Sequence, residues 1–209
     1  MALRAVAFDY GMVLSGVPNQ EARLQLHRIS GLSHEQFEAA YWVDRHAYDR
    51  GDLTGAAFWQ KLVADANLNL SPEQIAELNL WDARMWTTAD EKMIAWHSLL
   101  KQRGMQTAIL SNMGDSVMES ILETFAWIAD FDVLIWSYQH RMAKPEPAIY
   151  HLLLEKLGTA PDETLFLDDK PENIEAARHL GIHALQFSTI EQLRQDLITA
   201  GLDTSLPLP

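Results

Sequence analysis

The 209-residue sequence has no cysteine. That absence excludes disulfides, thiolate zinc sites and thiol nucleophiles together, and it fits a reducing compartment. Positive charge is scarce as well: 16 Lys and Arg stand against 29 Asp and Glu, a formal net charge of −13. An acidic surface repels phosphate backbones and anionic lipid, so neither nucleic acid nor a membrane is expected as a partner. A small anionic ligand stays open, because a bound cation or a local positive site overrides the global field. No apolar run reaches the ~18 residues of a membrane span. The opening Met1-Ala2-Leu3-Arg4-Ala5-Val6-Ala7-Phe8 meets Asp9 too soon for a secretory leader. A cytoplasmic location is therefore expected. The eight histidines show no His-Glu-x-x-His spacing, so they read as surface or hydrogen-bonded core groups.

What is present suits a folded chain of one or two domains. The hydrophobic fraction is 48% and the charged fraction 22%, ordinary for a globular protein. Residues 2–8 are short, apolar and branched, which predicts a buried strand, and glycines and a proline mark 9–18 as a loop. From 19 to 86 the sequence is helical: Ser33 and Gln36 form a capping box, Thr54 caps a second helix, and Ser71-Pro72 opens a third. Beyond it, helices are predicted over 91–103, 115–123, 145–157, 171–180 and 190–200. Strands are predicted over 107–110, 133–136, 164–167 and 183–187. This alternation predicts an α/β fold, a Rossmann-like parallel sheet with helices on both faces. One strand before the helical stretch and the rest after it imply an insertion. Residues 1–15 and 87–209 would form the α/β core, and 16–86 a helical cap. The tail beyond 201 is expected to be loosely ordered.

Ligands of open parallel sheets bind outside the carboxyl ends of the strands. The polar residues following the predicted strands are Asp9, Ser111-Asn112, Lys144 on a longer loop, and Asp168-Asp169. Clustered carboxylates repel unless a hard cation holds them, and Mg²⁺ takes oxygen ligands. A free carboxylate oxygen can attack phosphorus, while a lysine and a metal offset charge on the transferred group. Each residue alone has a blander reading: Asp9 as a turn former, Asp168-Asp169 as a helix cap, Lys144 as a surface lysine, Ser111-Asn112 as a loop start.

Together they resemble the haloacid dehalogenase superfamily. Four ordered segments carry the likeness: Phe8-Asp9-Tyr10-Gly11-Met12-Val13-Leu14, Leu110-Ser111-Asn112, Lys144-Pro145-Glu146-Pro147, and Leu167-Asp168-Asp169-Lys170-Pro171-Glu172-Asn173. The helical insertion is similar to that superfamily's cap. Within it, the sequence looks like the branch holding bacterial α-D-glucose-1-phosphate phosphatase and the N-terminal phosphatase domain of soluble epoxide hydrolase. The resemblance implies a Mg²⁺-dependent phosphatase of a small phosphomonoester, such as a sugar phosphate, working through an aspartyl-phosphate. It implies Asp9 as nucleophile and metal ligand, and the Gly11 carbonyl as a further ligand. Ser111 and the Asn112 backbone would hold the phosphate, and Lys144 would bridge it to Asp9. Asp169 would be the direct metal ligand, with Asp168 supporting through water and Asn173 orienting the loop.

One departure stands out. Phosphatases of the superfamily place a second Asp two residues after the nucleophile, to protonate the leaving group and then activate water; here that residue is Gly11. Glycine offers a carbonyl to a metal but transfers no proton, and such help is worth roughly 10²–10⁴-fold. A replacement acid is sought in Asp44-Arg45-His46-Ala47-Tyr48-Asp49-Arg50-Gly51-Asp52, read as a cap loop or as a solvated helix end. His46 and Tyr48 lead on chemistry, and Arg45 and Arg50 could read a hydroxyl or phosphate. Trp42, Trp59, Trp81 and Trp86 are expected mainly to pack the insertion. Two alternatives remain: a metal-independent 2-haloacid dehalogenase, disfavoured by the acidic pair and by Tyr10 standing one place early, and a binding protein that has lost its acid. A mutase ranks below both.

Overall fold

A computed structural model describes residues 3–209. Five parallel strands form one sheet in the order β3-β2-β1-β4-β5. They are β1 (Ala5–Phe8), β2 (Gln106–Ser111), β3 (Val133–Trp136), β4 (Thr164–Asp168) and β5 (His183–Gln186). The predicted first strand reached back to Ala2, which lies outside the described residues. β1 is central and wholly buried, so it reads as a continuous apolar run. Its two faces differ. Ala5 and Ala7 lie in the core shared with α9 (Pro147–Leu157) and α10 (Pro171–His179), where small side chains let helices approach. Val6 and Phe8 point into the opposite core, where Phe8 meets Trp96 edge-on at 5.5 Å. Trp96 belongs to α6 (Glu91–Gln102), which covers that face with α7 (Asp115–Thr124) and α11 (Ile190–Thr199).

Between β1 and β2 lie five helices, α1 (Gln20–Ser30), α2 (His34–Tyr41), α3 (Arg45–Arg50), α4 (Gly55–Asp65) and α5 (Pro72–Met85). They close around an aromatic core of their own that includes Phe37, Tyr41, Phe58 and Trp59. The capping boxes at Ser33 and Ser71 and the Thr54 cap form as their sequences predict.

Four local expectations are corrected. Residues 9–18 hold one wide helical turn, Tyr10–Leu14, closed by Ser15 N donating to the Tyr10 carbonyl at 2.7 Å. The helix expected from 145 starts at Pro147, because the residue before a proline is driven out of the helical region and Glu146 stays extended (ψ 130°). Segment 44–52 forms the helix α3, ended by Gly51 in the left-handed region, and the four-residue α8 (Ser137–His140) of the core packs beside it. The tail is ordered, for Leu206 is fully buried in the core beside Leu197 and its N–H bonds the Leu202 carbonyl at 2.8 Å.

Candidate active site

The strand register assembles the site. Phe8 lies opposite Leu167 of β4, so Asp9 emerges beside Asp168 at the same sheet edge. The Asp9 N–H donates to the Leu167 carbonyl at 2.8 Å and extends the ladder by one residue. Asp9 Oδ1 accepts from Tyr10 N at 2.7 Å and lies 2.9 Å from Lys144 Nζ. Oδ2 accepts no hydrogen bond among the described residues. Lys144 also reaches Asp168 Oδ2 at 2.6 Å. Asp168 is saturated: Oδ1 takes Lys170 N at 2.8 Å, and Asn173 Nδ2 lies 3.0 Å from both oxygens. The Asp169 carboxylate accepts no hydrogen bond from another residue among the described residues, while its backbone carbonyl takes Gln186 Nε2 at 2.9 Å.

The Lys144 loop is aimed by Asn112. Its side chain donates from Nδ2 to the Lys144 carbonyl at 2.7 Å and accepts the Lys144 N–H on Oδ1 at 2.8 Å. Sequence reading gave Asn112 only a backbone role, so this double bond was missed. Ser111, at the end of β2, is buried and leaves its hydroxyl without a partner among the described residues.

Electrostatics follow from burial. Desolvation, reinforced by Asp168 and Asp169 against the pull of Lys144, pushes the Asp9 carboxyl up to about 6. Burial and the Asp168 charge raise Asp169 likewise. Burial alone would depress Lys144, but Asp9 and Asp168 outweigh it and hold the ammonium above its usual range.

One oxygen each of Asp9, Asp168 and Asp169 lie within 4.8 Å of one another. Three carboxylates face the buried Lys144 ammonium and the exposed Lys170, so negative charge stays in excess, and every donor is a hard oxygen. This donor set fits Mg²⁺. Asp9 Oδ2 and Asp169 have the free oxygens, whereas Asp168 is committed to protein donors. A second cluster, His27, His34 and Glu38, also gathers three such groups. There Arg23 and Trp42 already hold both Glu38 oxygens, so it reads as an ion-paired surface feature.

Above Asp9 opens a cavity of about 260 Å³, into which Ser111, Asn112, Lys144 and Asp169 also project. The helical insertion supplies its other wall: Trp42, Arg45, Asp49 and Trp86. Two of the four tryptophans thus line the crevice, and Lys170 joins from the core side. The leading replacement acids do not reach it. His46 is exposed on the outer face of α3, and Tyr48 is buried in the insertion's aromatic core, stacked on Phe58. Arg50 turns away to Glu146, with Nε 2.8 Å from Oε1. Arg45 and Asp49, one helical turn apart, face the cavity instead.

Gly11 borders the cavity with φ −60° and ψ 127°, a conformation open to any residue. A Cβ there would meet Trp86 Cζ3 at 3.8 Å, ordinary contact. Backbone geometry therefore does not demand glycine at this position.

The haloacid dehalogenase-like hydrolase family matches residues 16–181. The chain belongs to this family and is a hydrolase of it. It is 37% identical over 229 residues to mouse bifunctional epoxide hydrolase 2, covering 100% of this chain and 41% of that protein. It is 26% identical to phosphatase MT3486 of Mycobacterium tuberculosis, covering 95% of this chain and 93% of that one. The chain spans 19% to 41% of the length of the first curated relatives it matches. Among solved structures, a Bacteroides thetaiotaomicron enzyme of the family, in complex with magnesium and inorganic phosphate, shares the fold with a TM-score of 0.71 at 24% identity, over 92% of this chain and 99% of that one. L-2-haloacid dehalogenase of Xanthobacter autotrophicus shares it with a TM-score of 0.69 at 20% identity, over 96% and 84%.

Proposed function

We propose that this hydrolase is a Mg²⁺-dependent phosphatase of a small phosphomonoester, a sugar phosphate being the first class to try. One observation carries the reading. Asp9 keeps a free oxygen at the floor of a cavity, beside a carboxylate pair whose excess negative charge calls for a hard cation. A metal-independent dehalogenase has no use for that excess charge.

Asp9 Oδ2 attacks the phosphorus while Tyr10 N–H and Lys144 hold Oδ1 and fix the rotamer. Lys144 and the free Ser111 hydroxyl take the phosphoryl oxygens, with the Asn112 side chain keeping the lysine loop in place. Asp9, Asp169 and the Gly11 carbonyl would hold the metal, with Asp168 behind them. When bound, the ion offsets negative charge on the phosphoryl group. Residues 16–86 act as the cap, closing the site with Trp42 and Trp86 and selecting the leaving group.

The test is phosphate release from a panel of phosphomonoesters with Mg²⁺, using wild type and Asp9→Asn. Release that needs both metal and Asp9 is the expected result. Chelator-resistant halide release from 2-chloropropionate, with no phosphate release, would instead establish the dehalogenase.

A further inference from the structure

We propose that Asp49, carried into the cavity by α3, is the catalytic acid and base for the leaving group and the attacking water. It would fill the role that Gly11 has no side chain to perform. The proposal rests on the phosphatase reading and names a residue for its missing step.

The charge count is the first argument. Arg45 is buried between two carboxylates. Its Nε lies 2.8 Å from Asp49 Oδ1, and its Nη1 lies 3.1 Å from Asp82 Oδ1. One buried guanidinium is shared by two carboxylates, Asp82 fully buried and Asp49 partly exposed to the cavity, which disfavours full charge on both. Asp82 is the better satisfied of the two: Tyr41 Oη donates to it at 2.7 Å, and Arg45 Nη1 reaches both of its oxygens. Asp49 takes only the Arg45 Nε bond, and its other oxygen has no donor among the described residues. Asp49 therefore has the free oxygen on which a proton can be carried. The charged groups around Asp49 are Arg45, Asp82 and, from the core, Lys170. Burial outweighs the two cations and holds its carboxyl above the usual range.

The second argument is placement. Asp49 and Asp9 border the same cavity. The end of α3 is fastened to the core at three points. Ser137 Oγ donates to the Asp49 carbonyl while accepting Met113 N–H at 2.8 Å. Arg50 pairs with Glu146 on the lysine loop at 2.8 Å. Gly51 sits so close that a Cβ would fall 2.5 Å from the Tyr138 carbonyl oxygen. A proton donor gains from being held this rigidly at the border of the nucleophile's cavity.

The step balances. Asp9 Oδ2 bonds to phosphorus as the bond to the leaving oxygen breaks, and that oxygen's electron pair takes the proton from Asp49. The Asp49 carboxylate then takes a proton from water as the water oxygen bonds to phosphorus. The phosphorus–Asp9 bond breaks and returns its pair to Asp9. Ester and water are consumed, alcohol and phosphate leave, and Asp49 is protonated again.

The test compares wild type, Asp49→Asn, Gly11→Asp and the double variant on p-nitrophenyl phosphate and on a simple alkyl phosphate. Asp49→Asn should lower kcat on the alkyl ester by about 10²-fold or more. On p-nitrophenyl phosphate it should keep a rapid burst of one nitrophenolate per active site, followed by slow turnover. Gly11→Asp in the Asp49→Asn background should recover at least part of the alkyl-ester rate. Unchanged alkyl-ester turnover in Asp49→Asn, or equal loss of burst and alkyl-ester rates, would overturn the proposal and leave the phosphatase standing. If wild type shows no metal- and Asp9-dependent release, both fall. A readout without turnover is ¹³C NMR titration of Asp49 in the metal-free wild type. A midpoint above the usual carboxylate range is expected, and a midpoint near ~4 would overturn the assignment.

Discussion

Lys144 holds together two carboxylates from adjacent strands, with Nζ 2.9 Å from Asp9 and 2.6 Å from Asp168, all three being buried. Replacing it by Met leaves the buried Asp9 and Asp168 without their shared counter-ion. Lys144→Met should lose ~3–5 kcal/mol of stability at neutral pH in urea unfolding. The sign with pH is fixed. Carboxyls raised in the folded state bind more protons there than when unfolded, so the deficit should shrink as pH falls from neutral through the raised value. A deficit that grows on acidification would contradict this account.

Mg²⁺ should raise the melting temperature of the wild type, because an ion held by the folded carboxylates binds the native state alone. Asp169→Asn should abolish that rise. Without metal its melting temperature should match or exceed that of the wild type within about 2 °C, since the change removes a repelling charge and no hydrogen bond. Differential scanning fluorimetry with and without chelator makes the comparison.

Gly51→Ala should loosen the insertion from the core. Gly51 has φ +88° and faces the Tyr138 carbonyl, so the substitution combines left-handed strain with a backbone clash. A loss of ~1–3 kcal/mol is expected, with KM for the phosphoester rising more than kcat falls. Limited proteolysis around 44–55 should quicken in parallel.

His97 gives a pH signature away from the site. Its ring stacks on Phe131 at 3.7 Å and bonds Thr107 Oγ1 at 3.1 Å. Burial, with Lys101 adding to it, lowers its pKa to about 4. The unfolded chain therefore binds more protons between about 4 and 6.5, so this residue's contribution is full above 6.5 and is lost as pH falls toward 4. The slope is at most ~1.4 kcal/mol per pH unit. The difference between wild type and His97→Gln should flatten above 6.5; a difference independent of pH would remove the histidine as its source.

Most of the sheet edge was legible because its residues follow short, apolar strands in order. Asp9, Asp168 and Asp169 need only the parallel register to meet, and Lys144 joins them through its loop. The insertion was legible as helix through its caps, but its active face was not. Reading 44–52 by chemistry favoured His46 and Tyr48, whereas helical spacing sets 45 and 49 on one face and turns 46 from it, and Tyr48 is drawn into the aromatic core against Phe58. That signal was available and went unused. The Asn112 bond to Lys144 joins residues 32 apart, and no local pattern announces it. The tail is anchored by Leu206, with Leu202 and Leu208 packed beside it, and their burial depends on a core built from distant segments.

The place of β1 in the middle of the sheet bears on how this chain is made. The helical insertion is contiguous in sequence and can gather its aromatic core while the remainder is still being synthesised. The hydrolytic centre cannot. Until β4 emerges from the ribosome, the strand bearing Asp9 has a neighbour on one side only and leaves its other edge unpaired. A nascent chain halted before residue 164 would present that apolar edge to other chains, so the same topology that completes the site late makes premature termination an aggregation hazard.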